Sequence, residues 1–136
     1  MAERDTAFLH EQMPLCRTLG IVAGSRFGPE QVDLEVEWSP SLCTAGGILH
    51  GGVVMALADS AGGVGAYFNL ASPDQRTATI ESKTNFLGAV RSGTLTATST
   101  PLHVGSSTIV METEVRDVAH RLVAKVTQTQ AILGGA

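Results

Sequence analysis

The chain has 136 residues, enough for one domain with a real hydrophobic core, and we expect that domain to span residues 1–136. Apolar residues make up 43% and charged residues 16%, which indicates a globular chain and excludes a disordered one. The formal charge is −4 and there is no basic stretch to neutralise phosphates, which argues against nucleic acid as a partner.

Two cysteines, Cys16 and Cys43, are too few for a disulfide framework, and no zinc-ligand spacing surrounds either of them. We therefore expect two reduced thiols packed as small apolar groups, and no metal. The first residues are mixed in charge and lead into no apolar signal core, which predicts a cytoplasmic protein. Asp59 interrupts the longest apolar run, Val53 to Leu70, so that run predicts a buried helix and not a membrane partner.

The hydrophobic pattern predicts two helices and six strands. A short helix over residues 5–15 is followed by a strand over 18–26. A second strand over 32–38 alternates apolar with acidic residues. The helix from His50 to about Phe68 is apolar on nearly every side, which is typical of a helix that other elements cover. The remaining strands are expected at 77–87, 94–103, 107–116 and 121–132. An antiparallel sheet wrapped around one central helix, an α+β fold, satisfies this order and buries the helix.

The start of the central helix is the first candidate for a functional site. The first N–H groups of a helix have no intrahelical partner, and the helix dipole adds partial positive charge there. Gly51 and Gly52 lack side chains, so a ligand can approach these N–H groups closely. The segment predicts an oxyanion site for an acyl carbonyl. His50 has no nucleophile motif around it, so we favour a structural role for His50, bracing the loop, over catalysis as a base.

Asp59 is the second candidate, about two and a half turns into the same helix. Its neighbours one turn away are mostly small and include no cation: Met55, Ala56, Gly62 and Gly63. A buried carboxylate in such surroundings costs free energy unless something solvates or uses it, which favours a catalytic role. The alternative is that Asp59 faces a polar groove or a subunit interface and bonds to backbone.

Taken together, three segments resemble the hot-dog acyl-CoA thioesterases. They are ILHGGVVMALADS, in which Asp59 follows His50 by nine residues, the strand TIESKTNFLGAV and the turn HVGSST. The resemblance covers roughly residues 15–132 and is nearest to the phenylacetate-pathway (PaaI-type) and 4-hydroxybenzoyl-CoA thioesterase group. It implies a hot-dog fold and hydrolysis of a fatty or aromatic acyl-CoA, with CoA as part of the substrate and no further cofactor. It also implies a homodimer, often a dimer of dimers, because the edge strands of a sheet invite pairing.

The same resemblance assigns roles to individual residues. Asp59 corresponds to the family's nucleophile or general base, and the Gly51 N–H to the group that polarises the thioester carbonyl. Thr79 corresponds to a hydroxyl that places the water or the carboxylate, supplied in the family by the neighbouring subunit. Thr44 stands where the family often has Asn or Gln, and it offers only one shorter hydroxyl.

A CoA-binding region is implied by the turn Gly105-Ser106-Ser107, which resembles a segment that contacts the CoA nucleotide. Arg91, and also Arg76, are candidates to meet the CoA phosphates at the rim. Each arginine has an alternative interpretation as an ordinary solvating surface charge.

Two other functions remain open at this stage. A hot-dog hydratase or dehydratase would need a close acid–base pair, whereas His50 and Asp59 lie about 13.5 Å apart along one helix. A non-catalytic acyl-CoA-binding protein is kept open by Thr44, because the usual amide is missing there.

Overall fold

The computed structural model describes residues 1–135. Within them the helices are α1 (Ala2–Gln12), α2 (Pro14–Leu19) and α3 (Gly51–Phe68). The strands are β1 (Val22–Phe27), β2 (Val32–Glu37), β3 (Gln75–Phe86), β4 (Thr94–Val104), β5 (Thr108–Arg116) and β6 (Leu122–Gly134). None of the helices in this range combines the length and the apolar character needed to cross a membrane.

The N-terminal region differs from the sequence prediction. The single helix expected over 5–15 is two helices that meet at Met13, where the backbone is not helical. Pro14 does not end a helix; it begins α2, because proline lacks an N–H and its fixed φ suits a first helical position. The first strand starts at Val22 and not at residue 18, since α2 continues to Leu19 and Gly20 turns the chain with φ 75°.

The six strands form one antiparallel sheet in the order β1-β2-β4-β5-β6-β3. The central helix α3 packs on this sheet and contacts β2, β4 and β5 most extensively. The α+β prediction, an antiparallel sheet around one central helix, is therefore confirmed. The five strands after β1 and the helix α3 lie within two residues of their predicted bounds.

The core lies between α3 and the sheet. Leu57, Ala58 and Ala61 of α3 are fully buried against it, which explains why this helix is apolar on most sides. Cys16 belongs to the same core, Cys43 is half-buried, and both are free thiols as expected. The sheet contributes alternate residues of its strands, among them Val32, Leu34, Val36, Leu95, Ala97, Val115 and Val126.

Strand β3 is an edge of the sheet and is open to solvent in the single chain. It pairs with β6 on one side only, and most of its residues are exposed. Large apolar side chains stand on it: Ile80 is 64% exposed and Phe86 is 54% exposed. A long edge strand with one unpaired side is a surface on which a second strand can pair, even though most of the other side chains of β3 are polar.

The packing of α3 can be tested at Leu57, which is fully buried. Replacing Leu57 by Ala removes apolar contacts and leaves a cavity, so we expect a loss of about 2–5 kcal/mol in the free energy of unfolding. The matched control is Leu15→Ala, at a helical leucine that is 56% exposed. Urea denaturation should show a change below about 1 kcal/mol there; equal losses at both positions would contradict this packing.

Candidate active site

The first turn of α3 is capped by a histidine. His50 has an extended backbone (φ −61°, ψ 133°), and its Nδ1 accepts a hydrogen bond from the Gly52 N–H at 2.8 Å. This is the bracing role that the sequence favoured for His50. Within residues 1–135, the Gly51 N–H has no hydrogen-bond partner. It is therefore the first helical donor available to a ligand.

A cavity of about 400 Å³ opens beside Gly51, and Thr44 lines it as well. The chain brings Thr44 there through a tight turn in which the Thr44 N–H donates to Ile48 O at 2.8 Å. Phe86 forms another wall, so close that a Cβ placed on Gly51 would lie 3.3 Å from the ring. We call this space the helix-start cavity.

Asp59 and Thr79 line a second cavity of about 400 Å³, the Asp59 cavity. Its apolar wall comes from α1 and the C-terminal half of α3. The lining residues are Phe8, Gln12, Met13, Asp59, Gly63, Val64, Tyr67, Arg76, Thr77, Thr79 and Gln130. The expectation of a buried carboxylate was wrong for the single chain: Asp59 is exposed to solvent, although side chains of α1, β3 and β6 partly surround it. The small residue Gly63 leaves room beside it, as the sequence predicted.

Two glutamines of β6 hold the polar side chains of this cavity, and the sequence analysis missed both. Gln128 donates from Nε2 to Asp59 Oδ1 at 3.4 Å, and Gln130 donates from Nε2 to Thr79 Oγ1 at 2.8 Å. A signal for them was present in Thr127-Gln128-Thr129-Gln130. Residues two apart on a strand share a face, and here that face continues the buried Val126.

The surroundings of Asp59 alter its acidity. Partial burial raises the pKa of the Asp59 carboxyl above its ordinary value, because the protein replaces water around the charged form. The hydrogen bond from Gln128 acts in the opposite direction and lowers the pKa, since it favours the carboxylate. No cation pairs with Asp59 among the described residues.

The structure divides the four expected catalytic positions into two pairs. Thr44 and Gly51 line the helix-start cavity, whereas Asp59 and Thr79 line the Asp59 cavity. Asp59 follows Gly51 by eight residues on one helix, which is about 12 Å along the axis. Within the single chain Thr79 lines the same cavity as Asp59, an arrangement that does not require Thr79 to come from a neighbouring subunit. The register of β3 against β6 shifts directly after Thr79.

The expected CoA-binding residues are also separated in the single chain. The Gly105–Ser107 segment is the hairpin turn between β4 and β5, and Arg91 precedes β4 at its other end. The eleven residues of β4 span roughly 33 Å, so one CoA nucleotide cannot reach both within one chain. Arg91 lines a shallow cavity with Asp117 and Arg121, whereas Arg76 lines the Asp59 cavity.

Metal ligands do not converge anywhere in residues 1–135: no three His, Cys, Asp or Glu side chains there are placed to hold an ion.

Comparison with known proteins identifies the family. The model of the thioesterase superfamily matches residues 46–124, a stretch that contains the helix-start glycines, Asp59 and Thr79. The chain belongs to the thioesterase superfamily. It is a thioester hydrolase with a hot-dog fold, and this membership favours hydrolysis over the hydratase and non-catalytic alternatives.

Individual relatives support this family assignment. A 1,4-dihydroxy-2-naphthoyl-CoA hydrolase of Listeria monocytogenes is 34% identical over 112 residues, covering 82% of this chain and 89% of that protein. The crystal structure of a thioesterase from Haemophilus influenzae superposes with a TM-score of 0.83 at 27% identity, covering 93% of this chain and 90% of that one. A relative from Vibrio cholerae, 37% identical over 86 residues, is matched over only 57% of its own length.

The capping role of His50 makes a testable prediction. His50→Ala removes the acceptor for the Gly52 N–H and should cost about 1 kcal/mol in the free energy of unfolding. His50→Asn keeps a side-chain acceptor at the cap, so this control should recover most of that stability and retain turnover. Thermal unfolding and a thiol-release assay measure the two effects. If His50→Asn is stable but inactive, His50 takes part in the chemistry.

Proposed function

We propose that this thioester hydrolase acts on acyl-CoA, releasing the free acid and CoA. The observation that carries the proposal is the pairing of Asp59 with Thr79 on one cavity, in a chain that also presents the unpartnered Gly51 N–H at a helix start. A carboxylate supplies the nucleophile or the base, and the amide supplies the oxyanion donor. Both are the groups that acyl transfer requires.

One complete site needs two chains. A tetrahedral intermediate places its oxyanion within about 3 Å of a donor and its carbon close to the carboxylate or water. Gly51 and Asp59 of one rigid helix are about 12 Å apart and cannot both reach a single carbonyl. We infer that Gly51 and Thr44 of one protomer face Asp59 and Thr79 of its partner across a two-fold axis. The exposed, unpaired edge of β3, which carries Ile80 and Phe86, supplies the pairing surface for that homodimer.

The reaction then follows from these groups. The carbonyl oxygen accepts a hydrogen bond from the Gly51 N–H, which stabilises the charge that develops on it. Asp59 either attacks the carbonyl carbon or takes a proton from a water that attacks it. Thr79 orients that water or the carboxylate, and the C–S bond breaks as the CoA thiolate leaves and takes up a proton. When Asp59 is the nucleophile, the acyl group is left on its carboxyl as an anhydride, and a water then cleaves this anhydride to the free acid and restores the carboxylate. Thr44 offers one hydroxyl on the oxyanion side, in place of an amide.

The acyl group is proposed to be fatty or aromatic. Aromatic and apolar side chains from Phe8, Met13, Val64 and Tyr67 line the Asp59 cavity, with Arg76 among its polar members. A volume of about 400 Å³ suits a compact acyl group. The Listeria relative is named for an aromatic acyl-CoA that carries two hydroxyls, and this makes hydroxyaromatic acyl-CoA esters the first substrates to assay.

CoA binding and assembly are extensions of the same proposal. The Gly105–Ser107 turn and Arg91 lie at opposite ends of β4, so if both contact CoA they belong to different protomers of the dimer or of a dimer of dimers. PaaI-type specificity and a cytoplasmic location remain our expectations, and the two free thiols fit a reducing compartment.

The roles of Asp59 and Gly51 can be tested with matched variants. Asp59→Asn should reduce kcat towards acyl-CoA by at least about 10²-fold, because the amide can neither attack nor accept the proton. Gly51→Pro removes the N–H at a first helical position, which tolerates proline, and should lower kcat by about 10²–10³-fold. Gly51→Ala is the control, since it adds the same Cβ beside Phe86 but keeps the N–H. If the alanine and proline variants were equally active, the Gly51 N–H would not be the oxyanion donor.

The two-chain site predicts complementation between inactive variants. Homodimers of Asp59→Asn and of Gly51→Pro are each expected to be inactive. After unfolding and refolding together, half of the dimers are mixed and each mixed dimer has one intact site, giving about a quarter of wild-type activity. Thiol release after co-refolding at equal concentrations measures this fraction. No recovery, with mixed dimers demonstrated by mass spectrometry, would place both groups in the same chain.

A further inference from the structure

Strand β6 carries two glutamines where its pattern otherwise places core residues. Gln128 is fully buried and Gln130 is 2% exposed, on the same face as the buried Val126. Burying an amide costs free energy unless its polar atoms are satisfied. The described residues leave Gln128 Oε1 without a hydrogen-bond partner, so internal stability alone gives a poor account of this side chain.

The amide of Gln128 packs directly against α3, in space that a glycine of that helix leaves open. Gly62 lies one turn after Asp59, and a Cβ at Gly62 would collide with Gln128 Oε1. Glycine at residue 62 therefore lets the amide lie in the surface of the helix beside the catalytic carboxylate. The Gln128 Nε2 donates to Asp59 Oδ1 at 3.4 Å, a long bond of the kind that shortens when substrate closes a site.

Each glutamine occupies one hydrogen-bonding position of its partner side chain and so limits the hydrogen bonds that Asp59 or Thr79 can still make. A carboxylate only accepts hydrogen bonds, so Gln128 holds Oδ1 of Asp59, while Oδ2 accepts no hydrogen bond from the described residues. An amide N–H only donates, so Thr79 Oγ1 accepts from Gln130 and its own proton must point elsewhere. The Thr79 hydroxyl is thereby committed to act as a donor towards the cavity that it shares with Asp59.

We propose that Gln128 and Gln130 are positioning residues of the hydrolytic site, Gln128 orienting the Asp59 carboxylate and Gln130 fixing the polarity of the Thr79 hydroxyl. The proposal rests on the proposed function, because it takes Asp59 and Thr79 as the reacting and orienting groups. It goes beyond that function because it assigns the orientation of both Asp59 and Thr79 to residues of one strand, β6. Neither glutamine needs to touch the substrate.

Few titratable groups surround Asp59, so the effect of Gln128 on the Asp59 pKa can be separated from the effects of other charges. Cys16 of α2 interacts with Asp59, and burial raises the pKa of the Cys16 thiol, so it stays neutral near pH 7. Arg76 of β3 and Tyr67 of α3 line the same cavity. Phe8 and Gln12 of α1, Met13 between α1 and α2, and Gln130 of β6 also line it, and none of these four carries a titratable group. Changing Gln128 leaves all these charges in place.

The test compares the same substitution at both glutamines. Gln128→Met removes the donor to the carboxylate, so the acidic limb of the kcat–pH profile should move up by roughly one pH unit, with kcat lower by about tenfold. Gln130→Met should lower kcat with KM within about twofold and leave the acidic limb in place, since a threonine does not titrate. An unchanged limb in Gln128→Met, or equal shifts in both variants, would overturn the proposal.

A second variant and a second readout keep the test decisive if Gln128→Met does not fold. Gln128→Glu has the same shape and places two carboxyls side by side, so the pair should titrate at higher pH than Asp59 does in the wild type. Carboxyl ¹³C NMR titration of Asp59 in the whole protein reads this shift without turnover. If Asp59→Asn stays active, the proposed function fails. If Asp59→Asn is inactive but Asp59 titrates identically in wild type and Gln128→Glu, only the role of Gln128 fails.

Discussion

A rigid helix sets the distance between the two groups that the proposed mechanism must bring together. The Gly51 N–H and the Asp59 carboxyl belong to α3, and about 12 Å of helix axis separates them whatever the side chains do. One thioester carbonyl cannot bridge that distance. Two chains related by a two-fold axis can, because the start of one helix then faces the middle of the other. In the proposed site, catalysis therefore depends on assembly of the dimer.

Several features of the single chain fit this constraint. Asp59 is open to solvent in the single chain, although the residues around it raise the pKa of its carboxyl. The edge strand β3 exposes Ile80 and Phe86 next to the two cavities. Phe86 belongs both to the exposed edge of β3 and to the helix-start cavity, since its ring also packs against Gly51. A partner protomer that covers β3 would bury Asp59 further and would raise the pKa of the Asp59 carboxyl further.

The sequence predicted much of the fold because its patterns are local. The alternation in β2 and the uniformly apolar α3 identified the sheet and the buried helix, and the glycines after His50 identified the helix start. Pro14 was misjudged because proline suits the first turn of a helix as well as the end of one. Gln128 and Gln130 were missed because their partners lie 69 and 51 residues away in sequence, which no local pattern reveals. The sequence did not predict the exposure of Asp59 in the single chain for a related reason, because the burial of a residue on α3 depends on which distant segments pack over it.

The most direct measurement of the central claim is a crystal structure with a non-hydrolysable ketone analogue of a hydroxyaromatic acyl-CoA, in which a methylene group separates the sulfur from the carbonyl. The account predicts that the analogue's carbonyl oxygen lies within about 3 Å of the Gly51 N of one protomer. It predicts that Asp59 of the other protomer faces the carbonyl carbon. A complex in which both contacts come from one protomer, or in which the acyl group avoids the cavity lined by Asp59 and Thr79, would contradict the account.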